Sequence, residues 1–162
     1  MKYEFVPGDE ITIAPGRTVK RIRALVAISY FASAGSLGGY IESEKSLEVS
    51  GNAWVHGNAQ VSGNAQVSGN AQVYGDAQVS GDAQVSGNAL IVWFSHVGSE
   101  NGTLTVYNAK DNTIEVTRGC FKGTINEFLA ASEKKHDEQT HLEYRLLIEV
   151  AYSRITRARS NQ

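Results

Sequence analysis

The sequence predicts a mainly β protein organised around a short parallel β-helix, with a β segment before it and a β-hairpin and two helices after it. Three observations carry this expectation. Over residues 51–92 one six-residue unit repeats seven times without insertion, as GNAWVH, GNAQVS, GNAQVS, GNAQVY, GDAQVS, GDAQVS and GNALIV. A fixed short period marks a solenoid, in which each unit buries its apolar side only by stacking on copies of itself. Residues 103–107 and 113–117 alternate apolar and polar around Lys110-Asp111-Asn112, which reads as a hairpin. Tyr144, Leu147, Ile148, Ala151 and Ile155 recur at three- and four-residue steps, which gives one apolar helix face.

The unit Gly63-Asn64-Ala65-Gln66-Val67-Ser68 shows the logic of the repeat. On an extended backbone Ala65 and Val67 point to one side and Gln66 to the other. Gly-Asn, or Gly-Asp in the units starting at Gly75 and Gly81, is turn chemistry, because these residues tolerate positive φ. Each unit is a short strand plus a corner, so three units of six close a triangular coil of 18 residues. An aliphatic residue followed four positions later by a small one, as in Val61 and Ala65 or Val67 and Ala71, resembles the hexapeptide repeat of left-handed parallel β-helices. That resemblance implies a left-handed coil, a known exception to the right-handed rule for crossovers. Leu37, Ile41, Leu47 and Val49 continue the phase backwards, and Ser95 and Val97 continue it forwards. The expected organisation is an N-terminal β cap over 1–36, a solenoid of about three 18-residue coils over 37–98, and a hairpin plus helical region over 99–162. So short a solenoid needs caps on its open ends.

Stacking every eighteenth residue sorts the outward positions into three faces. Two carry Gln60, Ser62, Gln78, Ser80 and Gln66, Ser68, Gln84, Ser86, a solvated surface. The third carries Trp54, His56, Gln72, Tyr74, Leu90 and Val92, and such an apolar stripe calls for a cover. Three covers fit: the chain's own terminal segments, a second subunit, for which three-fold assembly is frequent among left-handed β-helices, or a ligand or partner.

The flanks are less regular. Tyr3 and Phe5 alternate, Pro7-Gly8 and Pro15-Gly16 punctuate, and residues 18–28 form a second apolar-rich run. Arg17, Lys20, Arg21 and Arg23 cluster there, with Arg21 and Arg23 on one side of any strand. Such a cluster either holds a phosphate or acidic partner or forms a solvated edge that discourages strand addition. Thr124-Ile125-Asn126-Glu127 is a capping box that starts one helix near Ile125, and a second is expected from about Asp137 to Arg157. Arg154, Arg157 and Arg159 complement the negative end of its dipole better than they suit nucleic acid, and the tail Ser160-Asn161-Gln162 is expected to fray.

Composition narrows the function classes. A chain of 162 residues, 41% hydrophobic and 20% charged, suits one compact unit. A net charge of −2 argues against a generic nucleic-acid binder. A single cysteine, Cys120, permits no internal disulfide and fits a reducing cytoplasm. No apolar run reaches membrane-spanning length, and the first residues lack the order of a signal peptide.

Four stretches in order carry a wider resemblance: Lys20-Arg21-Ile22-Arg23-Ala24-Leu25, then Leu37-Gly38-Gly39-Tyr40-Ile41-Glu42-Ser43-Glu44, then the repeat, then residues 98–107 followed by 116–124. Together they resemble bacteriophage and prophage accessory proteins of the polymer-forming, hexapeptide-repeat kind. The resemblance implies a phage origin and, by association, action against a host defence factor in the host cytoplasm.

Enzymatic readings are weaker. Hexapeptide acyltransferases resemble the coil but carry an extruded loop and a histidine base, whereas residues 51–92 contain no loop and His56 is the sole repeat histidine. The three-histidine zinc site of the β-helical carbonic anhydrases is not matched: His56 and His96 are 40 residues apart and do not stack, and His136 and His141 straddle a helix start. Cys120 follows Arg118, which lowers a thiol pKa in principle, but no His/Asp dyad accompanies it. No cofactor or metal is expected. The expectation is a non-catalytic binding protein, a trimer through the stripe, that blocks a host protein or sequesters a nucleotide-like ligand at arginines such as Arg21, Arg23 or Arg118. The alternative is a self-assembling scaffold stacked end to end.

Overall fold

A computed structural model describes residues 1–160; of the tail, Asn161 and Gln162 lie outside the described residues. The chain opens with an antiparallel hairpin, β1 (Tyr3–Ala14) and β2 (Arg17–Ala24), whose second strand pairs with β3 (Leu37–Ile41). Short two-residue strands follow, one in each of the first six hexapeptides: β4 (Trp54–Val55), β5 (Gln60–Val61), β6 (Gln66–Val67), β7 (Gln72–Val73), β8 (Gln78–Val79) and β9 (Gln84–Val85).

These strands stack in parallel at the spacing the repeat dictates. Trp54 pairs with Gln72, Gln60 with Gln78 and Gln66 with Gln84, each 18 residues on. The corner glycines Gly57, Gly63, Gly69, Gly75 and Gly81 all have positive φ, the conformation the Gly-Asn and Gly-Asp pairs supply cheaply. The alanine and valine of every unit from Ala53 to Val85 point inward and are at most 1% exposed. One core joins this coil interior to Tyr3, Ile22, Ala24 and Ile28 of the N-terminal segment.

The phase breaks at both ends. Ile41 stacks on Val61 and Leu47 on Val67, each 20 residues away. Leu47 thus takes a valine position, not the alanine position that a strict hexapeptide count gives it, and Val49 is exposed. The segment between Leu47 and Val55 is two residues longer than that between Val67 and Val73, so this corner is wider. Leu37 is likewise exposed, 55%. Gly38 and Gly39 keep the β3 backbone close to the coil: a Cβ at Gly39 would lie 2.6 Å from the Ala59 carbonyl oxygen and 2.7 Å from Val55 Cγ1.

At the far end the solenoid stops before Ser95 and Val97. Residues 91–97 form β10 (Ile91–Val97), the first strand of an antiparallel sheet continued by β11 (Gly102–Asn108), β12 (Ile114–Arg118) and β13 (Phe121–Thr124). The expected hairpin is its centre, with Asp111 and Asn112 at positive φ in the turn. The capping box at Thr124 and Glu127 opens α1 (Ile125–Lys135), and α2 (Glu138–Ser160) buries Tyr144, Ile148, Ala151 and Ile155. Phe128 and these four residues join Leu90, Leu104, Val106, Ile114 and Val116 in a second core.

Both coil ends are capped by polar contacts that use up strand hydrogen-bonding groups. At the first end Lys2, 6% exposed, donates to the carbonyls of Ala53 at 2.8 Å, Ser50 at 3.4 Å and Gly51 at 3.5 Å; burial pushes its amine below the ordinary lysine value. At the other end Thr117 Oγ1 donates to the Gln78 carbonyl at 2.6 Å and Thr105 Oγ1 accepts from the Gln78 amide at 3.1 Å. Asn108 Nδ2 donates to the Gln84 carbonyl at 3.0 Å, and Glu115 accepts from the Asp82 amide at 3.1 Å. Groups that would otherwise template another strand are satisfied within the chain.

Candidate ligand-binding cleft

The apolar stripe is covered from inside the molecule. Trp54 is 1% exposed and packs edge-on against Tyr3, at 6.4 Å between ring centroids. Leu90 is 2% exposed and belongs to the helix-covered core. Gln72 is buried, with Nε2 donating to the Asn52 carbonyl at 2.6 Å. Of the six stripe residues, His56 and Val92 are half-buried and Tyr74 is exposed. This is the cover by the chain's own termini, and Trp54 and Leu90 offer no surface to a subunit.

What remains is an aromatic ladder. The His56 and Tyr74 rings stack 3.9 Å apart at 11°, and Trp93 follows 6.5 Å from Tyr74. Because the Gln72 amide nitrogen donates elsewhere, its Oε1 is the acceptor of the 2.8 Å bond to His56 Nε2, which places the imidazole proton on that nitrogen. Burial pulls the His56 pKa below its ordinary 6.5, and the Gln72 bond opposes part of that shift. The folded value lies below the unfolded one, so the unfolded chain takes up the proton first as pH falls. Stability is therefore complete above about pH 6.5 and declines as pH falls towards the folded value. Melting temperatures recorded between neutral pH and about pH 5 should drop for the wild type, and His56→Gln should flatten that slope.

The arginines singled out in the sequence have different partners. Arg21 is fully engaged: Nε donates to Asp9 at 2.8 Å, one terminal nitrogen to the carbonyls of Gly38 and Gly57, the other to the Tyr40 hydroxyl at 2.6 Å. It braces the hairpin to the coil. Arg23 pairs with Glu4 at 3.1 Å across the same hairpin.

Arg118 is placed differently. It ends β12 and lines a cavity of about 120 Å³ between the antiparallel sheet and both helices. Ser99 and Glu100 of the β10–β11 turn form one wall, Phe121 of β13 and Phe128, Ser132 and Lys135 of α1 another, and His136 and Tyr144 the remainder. The Arg118 side chain is only 13% exposed. Its Nε donates to the Tyr144 hydroxyl at 2.9 Å, while its terminal nitrogen stands 3.8 Å from Glu100, a carboxylate 77% exposed. The turn is fixed on α2: Gly98 has positive φ, its amide donates to Glu143 at 2.6 Å, and its open α-carbon admits the Tyr144 hydroxyl. Phe121, Phe128 and Tyr144 form an edge-to-face series at 5.3 and 5.1 Å, with His136 5.5 Å from Tyr144. Ser132 Oγ and His141 Nδ1 lie 2.9 Å apart and tie α1 to α2.

A cavity of this volume takes a phosphate- or carboxylate-sized group, not a whole cofactor. Its chemistry is cationic and aromatic. Arg118 is a planar fork suited to an oxyanion, and Lys135 offsets the negative end of the α1 dipole beside it. Tyr144 and Phe128, read from sequence as helix-face core residues or not at all, prove to line the site; their signal lay only in Arg118 needing a wall. Cys120 is exposed in the β12–β13 turn. Among the described residues no group of three His, Cys, Asp or Glu is placed to hold a metal ion. No helix of the described residues is long and apolar enough to cross a membrane.

Comparison with known proteins supports the repeat. The family model of the YdcK beta solenoid repeat matches three overlapping stretches, residues 59–75, 65–81 and 71–87, and over these the chain is similar to that repeat. No curated protein matches the chain.

Proposed function

We propose that this is a non-catalytic binding protein that captures a small ligand, nucleotide-like in joining an acidic group to a flat body, with the acidic group seated in the Arg118 cleft and the flat body at its mouth. The observation that carries the reading is the state of Arg118: a guanidinium 13% exposed whose facing carboxylate, Glu100, is 3.8 Å away and largely in solvent. A sheltered cation with so loose a partner gains from an oxyanion that can take two of its N–H groups. Phe121, half-buried at the mouth, suits an aromatic or apolar portion of the same ligand, while the buried Phe128 and Tyr144 back the wall behind it.

The ordered resemblance to phage accessory proteins supplies the setting: withdrawal of a signalling ligand from a host defence factor in the bacterial cytoplasm. The hexapeptide spacing supports a left-handed coil. Steric blocking by a trimer built on the stripe loses support, because Trp54 and Leu90 are covered by the chain itself. End-to-end stacking as a scaffold is opposed by the Lys2 and Thr117 caps. The test is a calorimetric titration with a nucleoside monophosphate and, separately, inorganic phosphate. Saturable heat with the nucleotide, and weaker binding of phosphate, is the expected result; no heat from either would overturn the reading.

A further inference from the structure

Helix α2 has two apolar faces, and only one is used. Tyr144, Ile148, Ala151 and Ile155 are buried against the sheet. Leu142, Leu146 and Val150, at steps of four, lie on the opposite side and are 45%, 53% and 49% exposed. The steps put them in one continuous stripe on the outer surface.

The charges beside this stripe have a sense. Glu138 and Glu143 lie in the first half of α2, Arg154 and Arg157 in the second, and Arg145 and Glu149 sit together on one flank. Arg145, Glu149, Arg154 and Arg157 are exposed and make no ion pair among the described residues. Two α2 helices laid parallel would set acidic half beside acidic half and basic beside basic. Laid antiparallel about a point near Ile148, they bring Leu146 of one copy against Val150 of the other. The same register sets Glu143 against Arg154 on one flank and Arg145 against Glu149 on the other. A two-fold axis makes every one of these contacts twice, and like-charge contacts are absent from the pairing.

We infer that this outer face of α2 binds a second copy of the chain as an antiparallel, two-fold helix pair centred on Leu146 and Val150. The inference is independent of the Arg118 cleft, which opens on the other side of the helix at Tyr144, so either can fail alone. It is tested by sedimentation velocity of the full chain over a concentration series. The wild type should approach twice the 17.5 kDa chain mass. Leu146→Glu should raise the dissociation constant at least about 30-fold, with an unchanged circular dichroism spectrum because the position is exposed. Arg145→Glu should weaken the dimer, and the double exchange Arg145→Glu with Glu149→Arg should restore it. A wild type that stays monomeric at all concentrations, a trimer, a dimer indifferent to Leu146→Glu, or a double exchange that fails to restore association would each overturn the pairing.

Discussion

Val67→Asp should leave the protein unable to fold. Val67 is 1% exposed inside the coil, with Leu47 stacked on one side and Val85 on the other. A carboxylate there loses its water and meets aliphatic neighbours, and the Gln66 and Ser68 amides beside it are engaged in the parallel ladder. The cost of an unpaired buried charge, at least about 4–5 kcal/mol, is comparable to the whole stability of a domain this size, about 5–15 kcal/mol. The loss is also not local, because a solenoid coil is held by its neighbours. Gln66→Glu on the same strand is the control: Gln66 is exposed, and the change should shift stability by no more than about 0.5 kcal/mol. Thermal melting followed by circular dichroism separates the two. Equal melting curves would mean that the inward and outward sides of the repeat are exchanged.

Arg118→Gln should abolish most of the ligand affinity while leaving the fold in place. A charge-assisted hydrogen bond is worth about 1.5–3 kcal/mol, so removing the guanidinium should weaken nucleotide binding by about 10- to 150-fold. The substitution also removes the bond from Nε to the Tyr144 hydroxyl, and the expected stability loss is about 1 kcal/mol, well short of unfolding. Arg118→Lys keeps the charge without the planar fork and should fall between the two. Arg21→Gln makes the informative contrast. Its donors are occupied by Asp9, Gly38, Gly57 and Tyr40, so it should lower the melting temperature and leave affinity unchanged. Calorimetry with the same nucleotide distinguishes the two arginines. Binding lost with Arg21 and retained without Arg118 would move the site to the N-terminal hairpin.

The repeat interior was legible because its chemistry is local: Ala and Val at fixed positions, Gly at each corner, and the 18-residue stacking that follows from six times three. The ends were not, because apolar phase alone does not say when a strand stops stacking. Ala89 and Ile91 keep the pattern, yet Ala89 is exposed and β10 turns away to pair with β11. The two extra residues between Leu47 and Val55 are invisible to a period count that both registers satisfy at Ile41. Trp54 announced that something must cover it, but the cover, Tyr3, is 51 positions away, and only the tertiary structure selects it over a subunit. The site was half legible. Arg118 was visible as a candidate, as were Arg21 and Arg23, and nothing in the sequence separates a brace from a candidate binding group. That difference lies in which partners the fold supplies: four for Arg21, and for Arg118 a tyrosine and one loosely placed carboxylate.

Ligand capture is tested most directly by native mass spectrometry of the protein expressed in bacteria and purified gently. A discrete species of one or two chains carrying the mass of a small acidic molecule is expected, and Arg118→Gln should lack that mass. A ladder of ever larger assemblies, or a discrete species with no bound mass in a preparation that also fails to bind added nucleotide, would contradict it.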